Sequence, residues 1–280
     1  MFKAKESVKG QYDLTNKVCV ITGGAGFLGR QFASAVLEMG GSIVLIDIDQ
    51  NSLKKAAEQI KADKNRCYSV IADITDEKQI VMAIDKIRSK FSSIDVLINN
   101  AALTKYGCDV NSETFFADFE HTNNEVWEKG VRTNLTSTML CCKNFGPVMI
   151  EQSKGSIINI GSDVGVISPD QTIYQSDGEY KGVPFNTPAF YSVSKAGVIH
   201  LTKHLATLWA KYNVRVNSFS PAGVFRDHES EFVKKLSSRI PMGRMASVNE
   251  YKGAIVFLAS DASSFMTGHN LVMDGGRTIW

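Results

Sequence analysis

Short, nearly all-apolar runs alternate along the chain with longer stretches in which apolar residues recur every three or four positions. The runs are KVCVIT (17–22), SIVLID (42–47), CYSVIA (67–72), DVLINN (95–100), GSIINIG (155–161), VRVNSFS (214–220) and HNLVMDG (269–275). Their apolar character is continuous rather than alternating, which predicts strands covered on both faces. FLGRQFASAVLEMG, QNSLKKAAEQIKA and EKQIVMAIDKIRSKF predict amphipathic helices between them, and longer helices are expected over about 123–152 and 190–212. Strands and helices in this alternation build βαβ units. The expected fold is therefore α/β, a doubly wound parallel sheet of about seven strands with helices on both faces.

Two segments break the rhythm. Residues 101–122 and 163–189 are polar and turn-rich, and longer than the usual connection of roughly 2–6 residues. In a doubly wound sheet the loops at the carboxyl ends of the strands surround the ligand crevice, so these two segments are candidate binding loops. A length of 280 residues, without repeats or linkers, suits one large core over 14–280. The start, MFKAKESVKGQYDLTNK, lacks the apolar core of a signal peptide and reads as a flexible arm over residues 1–13.

Composition narrows the partners. With 44% hydrophobic and 21% charged residues and a net charge of +2, nothing points to nucleic acid or a membrane surface. No apolar run approaches the roughly 20 residues needed to span a bilayer. Cys19, Cys67, Cys108, Cys141 and Cys142 show no metal-ligand spacing, so no metal site is expected. The adjacent pair 141 and 142 reads as small apolar residues on a helix in a reducing, cytoplasmic setting.

The stretch ITGGAGFLGR (21–30) carries the first chemistry. Gly24-Ala-Gly26-Phe-Leu-Gly29 fits G-x-G-x-x-G directly after a strand and before a helix, the signature of a Rossmann-type dinucleotide cradle. Glycine allows the tight turn and the close approach of backbone to a pyrophosphate, which then meets the helix amino terminus. Asp47 ends the second strand, where a carboxylate can bind an adenosine ribose and repel the 2′-phosphate of NADP. Charges of −1 and −2 about 4 Å apart repel by roughly 8 kcal/mol at an effective dielectric of 20. If screening removes three-quarters of that, about thirtyfold discrimination is left. NAD is favoured over NADP. The other reading of Asp47 is a cap on the helix near residue 50.

YSVSK places Tyr191 and Lys195 at i and i+4, on one face of a helix. A phenol with an ordinary pKa near 10 is a poor base at neutral pH. An ammonium about 5 Å away favours the phenolate by roughly 3 kcal/mol at an effective dielectric of 20, about two pKa units. Such a pair can move a proton on and off an alcohol while hydride moves to or from nicotinamide. Tyr-x-x-x-Lys alone also occurs on exposed helices.

Together these pieces resemble the short-chain dehydrogenase/reductase family from about Leu14 to Gly276. In family order they are the glycine loop, Asp73-Ile74, NNAA (99–102), Asn134, INIGS ending at Ser162, YSVSK, SPAG (220–223) and DGG (274–276). The resemblance implies a catalytic set of Asn134, Ser162, Tyr191 and Lys195. Tyr191 is the implied general acid/base and Ser162 the hydrogen-bond partner of the reacting oxygen. Lys195 is implied to hold the nicotinamide ribose and depress the tyrosine, and Asn134 to sit in a helix that supports a water-mediated proton path to Lys195. Cofactor contacts are expected from Gly23, Gly26, Phe27 and Leu28, from Asp47 and Ile48, and from Asp73 and Ile74 around the adenine. Asn99, Asn100 and Ala101 should line the cleft, while Pro221, Gly223 and Val224, with Tyr191 and Lys195, should border the nicotinamide.

Thr22, Gly23, Gly26 and Gly29 have the spacing of the family's longer "extended" branch of sugar-nucleotide epimerases and dehydratases, whereas the oxidoreductase branch has glycine at position 27. Chain length, NNAA and MTGHNLVMDGG favour the oxidoreductase branch. Phe27 then starts the helix and changes the loop's shape more than its task. In the same branch IPMGRMASVNEYKGAIVFLAS makes Arg244 a structural ion-pairing residue.

The chain between Ser162 and Tyr191 exceeds the family's usual spacing. Its insertion carries Asp170, Gln171, Tyr174, Asp177, Glu179, Tyr180 and Lys181, groups suited to a polyhydroxylated substrate; a solvated loop or an oligomer contact is the other reading. The insertion is similar to that of flagellin-modification reductases among enzymes of bacterial surface sugars. Phe115, Phe116 and Phe119 could wall the pocket or pack under it. Arg226 and His228 read as surface charges, with contact to a substrate phosphate as the other reading.

The expected function is an NAD-dependent interconversion of a secondary alcohol and a ketone, on a sugar, sugar phosphate or nucleotide sugar. An epimerase or dehydratase with tightly bound NAD and a non-catalytic dinucleotide sensor are the alternatives. A homodimer or homotetramer through the two long helices is implied by the resemblance.

Overall fold

The seven apolar runs form the seven strands of one sheet: β1 (Val18–Thr22), β2 (Ser42–Asp47), β3 (Cys67–Ile71), β4 (Val96–Asn99), β5 (Gly155–Ile160), β6 (Val214–Pro221) and β7 (Asn270–Met273). Their order is β3-β2-β1-β4-β5-β6-β7, and every neighbouring pair is parallel. The computed structural model describes residues 7–60, 63, 65–104, 111–174 and 186–280, with the backbone of 179–180 and 183–184.

Successive strand residues face opposite layers, and both layers are apolar. Val18, Val20, Val44, Ile46, Leu97 and Ile157 turn to one face, where Ile80, Ile84 and Ile87 of α3 (Glu77–Lys90) and Phe145 and Met149 of α5 (Ser137–Glu151) meet them. Cys19, Ile21, Ile43, Leu45, Ile98 and Ile158 turn to the other. There Phe32 and Val36 of α1 (Phe27–Glu38), Leu53 of α2 (Gln50–Ile60) and Ile255 and Leu258 of α8 (Lys252–Ala259) cover them. This is the expected doubly wound, Rossmann-type arrangement.

The first long helix is less regular than its pattern implied. It runs as α4 (Asn124–Val131), widens to a π turn over Arg132–Thr136, and continues as α5. The second, α6 (Ala189–Trp209), is unbroken, and α7 (Ser230–Ser237) is short. Cys141 and Cys142 are buried on α5, and burial pushes both thiols up, Cys142 to about 12. They are inert packing groups; Cys108 lies outside the described residues.

The expectation of a flexible arm over residues 1–13 needs correction for its described part. Ser7 caps a helical turn at Val8–Gln11, and the Tyr12 ring lies 6.4 Å from that of Phe257. Leu14 is fully buried, and its N–H donates to Met39 O at 2.8 Å. That anchor holds the preceding turn against the protein. Among the described residues, no helix is long and apolar enough to cross a membrane.

Candidate active site

Because all seven strands run the same way, their carboxyl ends share one edge. That edge collects the glycine loop after β1, Asp47-Ile48 after β2, Asp73-Ile74 after β3, Asn100-Ala101 after β4, Ser162 after β5 and Pro221–Val224 after β6. The order reverses beside β1, where β4 rather than β3 is its second neighbour, and there such sheets open a ligand crevice.

At the loop, Gly23 has φ +60°, and a Cβ there would sit 2.8 Å from Ala101 Cα. A Cβ on Gly29 would strike Gly23 O. Gly26 is the N-cap of α1 but offers no side-chain acceptor, so the first-turn amides face outwards without a cap. Phe27 is the first residue of the helix, as expected, and Leu28 packs on the core behind it. The Arg226 guanidinium lies 4.8 Å from the Phe27 ring centroid. Asn100 donates through Nδ2 to Thr22 O (3.1 Å) and Gly23 O (3.0 Å), clamping the loop from β4.

Asp47 Oδ2 accepts from Ala25 N at 3.2 Å and Oδ1 from Ile48 N at 2.9 Å. Asp49, not Asp47, caps α2, accepting from Ser52 N at 2.6 Å, which removes the capping alternative. The Ile48 side chain is exposed beside it. A backbone cradle with no room for a Cβ, uncapped helix amides and a carboxylate at the loop fit a dinucleotide.

One expectation at this end changes. Asn99 does not line the cleft: it is buried, and its Nδ2 donates to Asn159 Oδ1 (2.8 Å), tying β4 to β5. It is the last residue of β4, whose side chains alternate, so only its neighbour Asn100 reaches the loop. Asp73 spends Oδ1 on Thr75 N and Oγ1, both at 2.8 Å, while Ile74 packs partly against the core.

The other end of the edge carries ionisable side chains. Lys195 is buried on α6, one turn from Tyr191, and its Nζ donates to Ile160 O at 2.7 Å. Asn134 lies in the π turn. Its Oδ1 accepts from Leu103 N at 2.6 Å, while its buried Nδ2 finds no partner among the described residues. A π turn re-aims one residue without breaking the helix, and here that residue holds the loop after β4. Ser162 Oγ donates to Asp163 Oδ1 at 2.9 Å. Tyr191 packs against Leu103, Phe115, Phe116, Val126 and Phe190.

The expected depression of the tyrosine by lysine is not what this arrangement produces. Burial and the Asp163 carboxylate push the Tyr191 phenol up to about 12, against a hydrogen bond with Ser162 that lowers it. Lys195 Nζ stands 5.8 Å from the ring centroid and is itself lowered to about 8 by burial. Desolvation penalises both charged forms, a cost that a two-charge Coulomb argument omits.

Phe115 and Phe116 are buried under the site and Phe119 is exposed, so the first two pack beneath rather than wall the pocket. The described part of the insertion is anchored. Ile173 is buried against Leu236, Ile240 and Met245, Gln171 and Thr187 exchange two hydrogen bonds, and Asp170 pairs with Arg239 at 2.8 Å. Asp177 and the side chains of Glu179, Tyr180 and Lys181 lie outside the described residues. Arg244 makes a two-pronged ion pair with Glu250, 2.7 Å on each side, as expected. Arg226 is exposed, and His228 is half-buried beside Phe232.

The model of the family described as short chain dehydrogenase matches residues 17–176, and one described as Enoyl-(Acyl carrier protein) reductase matches 173–278. The chain belongs to the short-chain dehydrogenase/reductase family. It is thus an oxidoreductase. Among relatives of this short-chain dehydrogenase, a D-threitol dehydrogenase of Mycolicibacterium smegmatis is 31% identical over 288 residues, covering 100% of both chains. A D-arabinitol 2-dehydrogenase of Scheffersomyces stipitis is 34% identical over 297 residues, covering 98% of each. The crystal structure of an NAD+-bound xylitol dehydrogenase superposes with a TM-score of 0.81 at 28% identity, covering 94% of this chain and 99% of that one.

Two residues of the edge escaped the sequence reading. Asp163 and Arg277 form a buried ion pair, Oδ2 to Nη1 at 2.5 Å, directly behind Ser162. Their only sequence signal is an acid beside the serine and an arginine after DGG; nothing local links them.

Proposed function

We propose that the protein interconverts a secondary alcohol and a ketone on a polyol or closely related sugar, with NAD(H) as hydride carrier. The observation that carries this reading is Tyr191, Ser162 and Lys195 gathered at the same edge as the glycine loop and Asp47. Relatives named for threitol and arabinitol support the polyol class. A Listeria innocua relative named NAD-dependent glycerol dehydrogenase supports the cofactor, as does Asp47. The surface-sugar subgroup is a narrower form of the same proposal.

Gly23, Gly26, Phe27 and Leu28 with the α1 amides would hold the pyrophosphate, and Asp47 and Ile48 the adenosine. Asp73 and Ile74 would flank the adenine. Asn100 and Ala101 would line the cleft, and Pro221, Gly223 and Val224 would border the nicotinamide. When bound, NAD supplies the hydride acceptor for oxidation and NADH the donor for reduction. Tyr191 transfers the proton. Its raised proton affinity keeps it protonated at neutral pH, ready to protonate the oxygen of a reduced ketone, and makes oxidation rise with pH. Ser162 orients the substrate oxygen, Lys195 holds the cofactor ribose from its anchor on Ile160, and Asn134 keeps the loop after β4 in place.

Incubation with NAD+ and a panel of D-threitol, D-arabinitol, xylitol, glycerol and sugar phosphates should yield free NADH with at least one polyol. Free NADH also separates this reading from an epimerase, which leaves the cofactor unchanged overall. Tyr191→Phe should lower kcat by about 10²–10⁴-fold while NADH binding by fluorescence is kept. Retained turnover would reject the mechanism. Exposed Met139, Val193 and Leu208 on α5 and α6 support a homodimer or homotetramer through these helices, and light scattering showing monomer alone would remove it.

A further inference from the structure

Phe27 stands where the oxidoreductase branch of the family carries glycine, and its ring has a neighbour from across the crevice. The Arg226 guanidinium lies 4.8 Å from the Phe27 ring centroid. Phe27 opens α1 just after β1, whereas Arg226 lies in the loop after β6. In the sheet, β4 and β5 stand between those two strands. At roughly 4.8 Å per strand, the contact closes a gap of about 14 Å along the carboxyl edge.

The loop that carries Arg226 is built for this reach. Val224 bridges to Ala246, and Phe225 N–H donates to Ala246 O at 2.9 Å. Arg226 N–H then donates to His228 Nδ1 at 3.0 Å, closing a turn in which Asp227 takes φ +44°. A side-chain-bearing residue keeps such a φ only where its surroundings hold it. The exposed guanidinium is thereby brought to the half-buried ring that starts α1, where Gly26 gives the first-turn amides no side-chain cap. A cation near this end of a helix is unfavourable, because the end itself carries partial positive charge. An aromatic face offsets part of that cost, and an anion placed between the two makes both contacts attractive.

We propose that Phe27 and Arg226 form a clasp across the crevice for the cofactor diphosphate: the ring holds the guanidinium, and the guanidinium pairs with the phosphates that the α1 amides bind. This rests on the reading of the crevice as a dinucleotide site. A planar guanidinium can lie against a ring and still direct its N–H groups at phosphate oxygens, which the point charge of a lysine does less well. Glycine at position 27 offers no such platform. A phosphate on the substrate would present the same chemistry, so the test separates the two sources.

Binding of ADP-ribose, by calorimetry, and of NADH, by fluorescence, is measured on the parent, Arg226→Gln, Phe27→Leu and the double variant. Ribose 5-phosphate is titrated into each protein saturated with NADH. Arg226→Gln should weaken both ADP-ribose and NADH about tenfold and flatten the dependence of their affinity on salt. Phe27→Leu should weaken both about threefold in the parent and not at all beside Arg226→Gln, since the ring acts through the arginine. Should Phe27→Leu fail to fold, Arg226→Lys reads the platform instead, and should stay several-fold weaker than the parent. Losses that simply add, or a lysine variant that binds like the parent, overturn the clasp. So does a loss confined to NADH, which would place Arg226 at the nicotinamide, or one confined to ribose 5-phosphate, which would place it at the substrate. A parent that binds neither ADP-ribose nor NADH overturns the dinucleotide reading instead, so the two failures are distinct.

Discussion

At the glycine loop the groups offered to a ligand are backbone amides and one carboxylate, held by contacts between neighbouring strand ends. At the Ser162 end they are buried side chains, held by partners far along the chain. Asp47 and Asp163 embody the difference. Asp47 is partly open and takes hydrogen bonds from the amides of Ala25 and Ile48. Asp163 is enclosed, and both of its oxygens are spoken for by Ser162, Val164 and Arg277. Binding needs donors that already point outwards. Proton transfer needs a controlled charge in a poorly solvated place, and such a charge must bring its own partner.

The sharpest way to break this comparison is to delete each acid. Asp163→Ala strands the Arg277 guanidinium in the interior, and loss of one partner of a buried pair costs about 3–5 kcal/mol. Urea unfolding should show that loss as a lower midpoint. A loss under about 1 kcal/mol would mean the pair is solvated and the contrast false.

Asp47→Asn should cost only about 1 kcal/mol in the same urea unfolding, because the single Asn oxygen still accepts from the Ile48 amide and only the Ala25 amide loses its acceptor. Its effect belongs to cofactor choice. Removing the charge removes about 2 kcal/mol of screened repulsion, so the ratio of NAD to NADP affinity should fall by about thirtyfold. Equal ratios in parent and variant would show that Asp47 does not face the adenosine ribose.

The same contrast explains what could be read from residues alone. Strands were legible because a sheet covered on both faces needs continuous apolar runs such as VCVIT and SIVLID. The loop was legible because its constraints are local: Gly23 and Gly29 are small where a Cβ would meet the backbone. Asn99 and Asn100 were not separable, since two adjacent asparagines differ only in the face each takes at a strand end. The π turn that aims Asn134 leaves no composition signal. Asp163 and Arg277 meet only after the chain has wound through two further strands of the seven-stranded sheet, and no spacing rule reaches that far. The tyrosine went astray for a related reason: its lysine was visible in sequence, but its burial and the carboxylate beside it were not.

Lys195 offers the smallest and most pointed test, because it sets function against stability within the second region. Burial lowers its pKa from 10.5 to about 8, so between those values the folded protein binds fewer protons than the unfolded chain. Stability from this group therefore rises as pH climbs from about 8 to 10.5 and is lacking below about 8, where the charged ammonium is held in the interior. A shift of that size corresponds to roughly 3 kcal/mol, from which the lost hydrogen bond to Ile160 O subtracts about 1–2 kcal/mol. Lys195→Met should thus abolish turnover yet gain about 1–2 kcal/mol of stability at neutral pH, visible as a Tm higher by a few degrees. The gain should shrink and vanish as the pH approaches 10.5, where the parent no longer buries a charge. A variant less stable than the parent at neutral pH would mean that the ammonium is well solvated by its surroundings, and that the catalytic end of the edge is no more strained than the glycine loop.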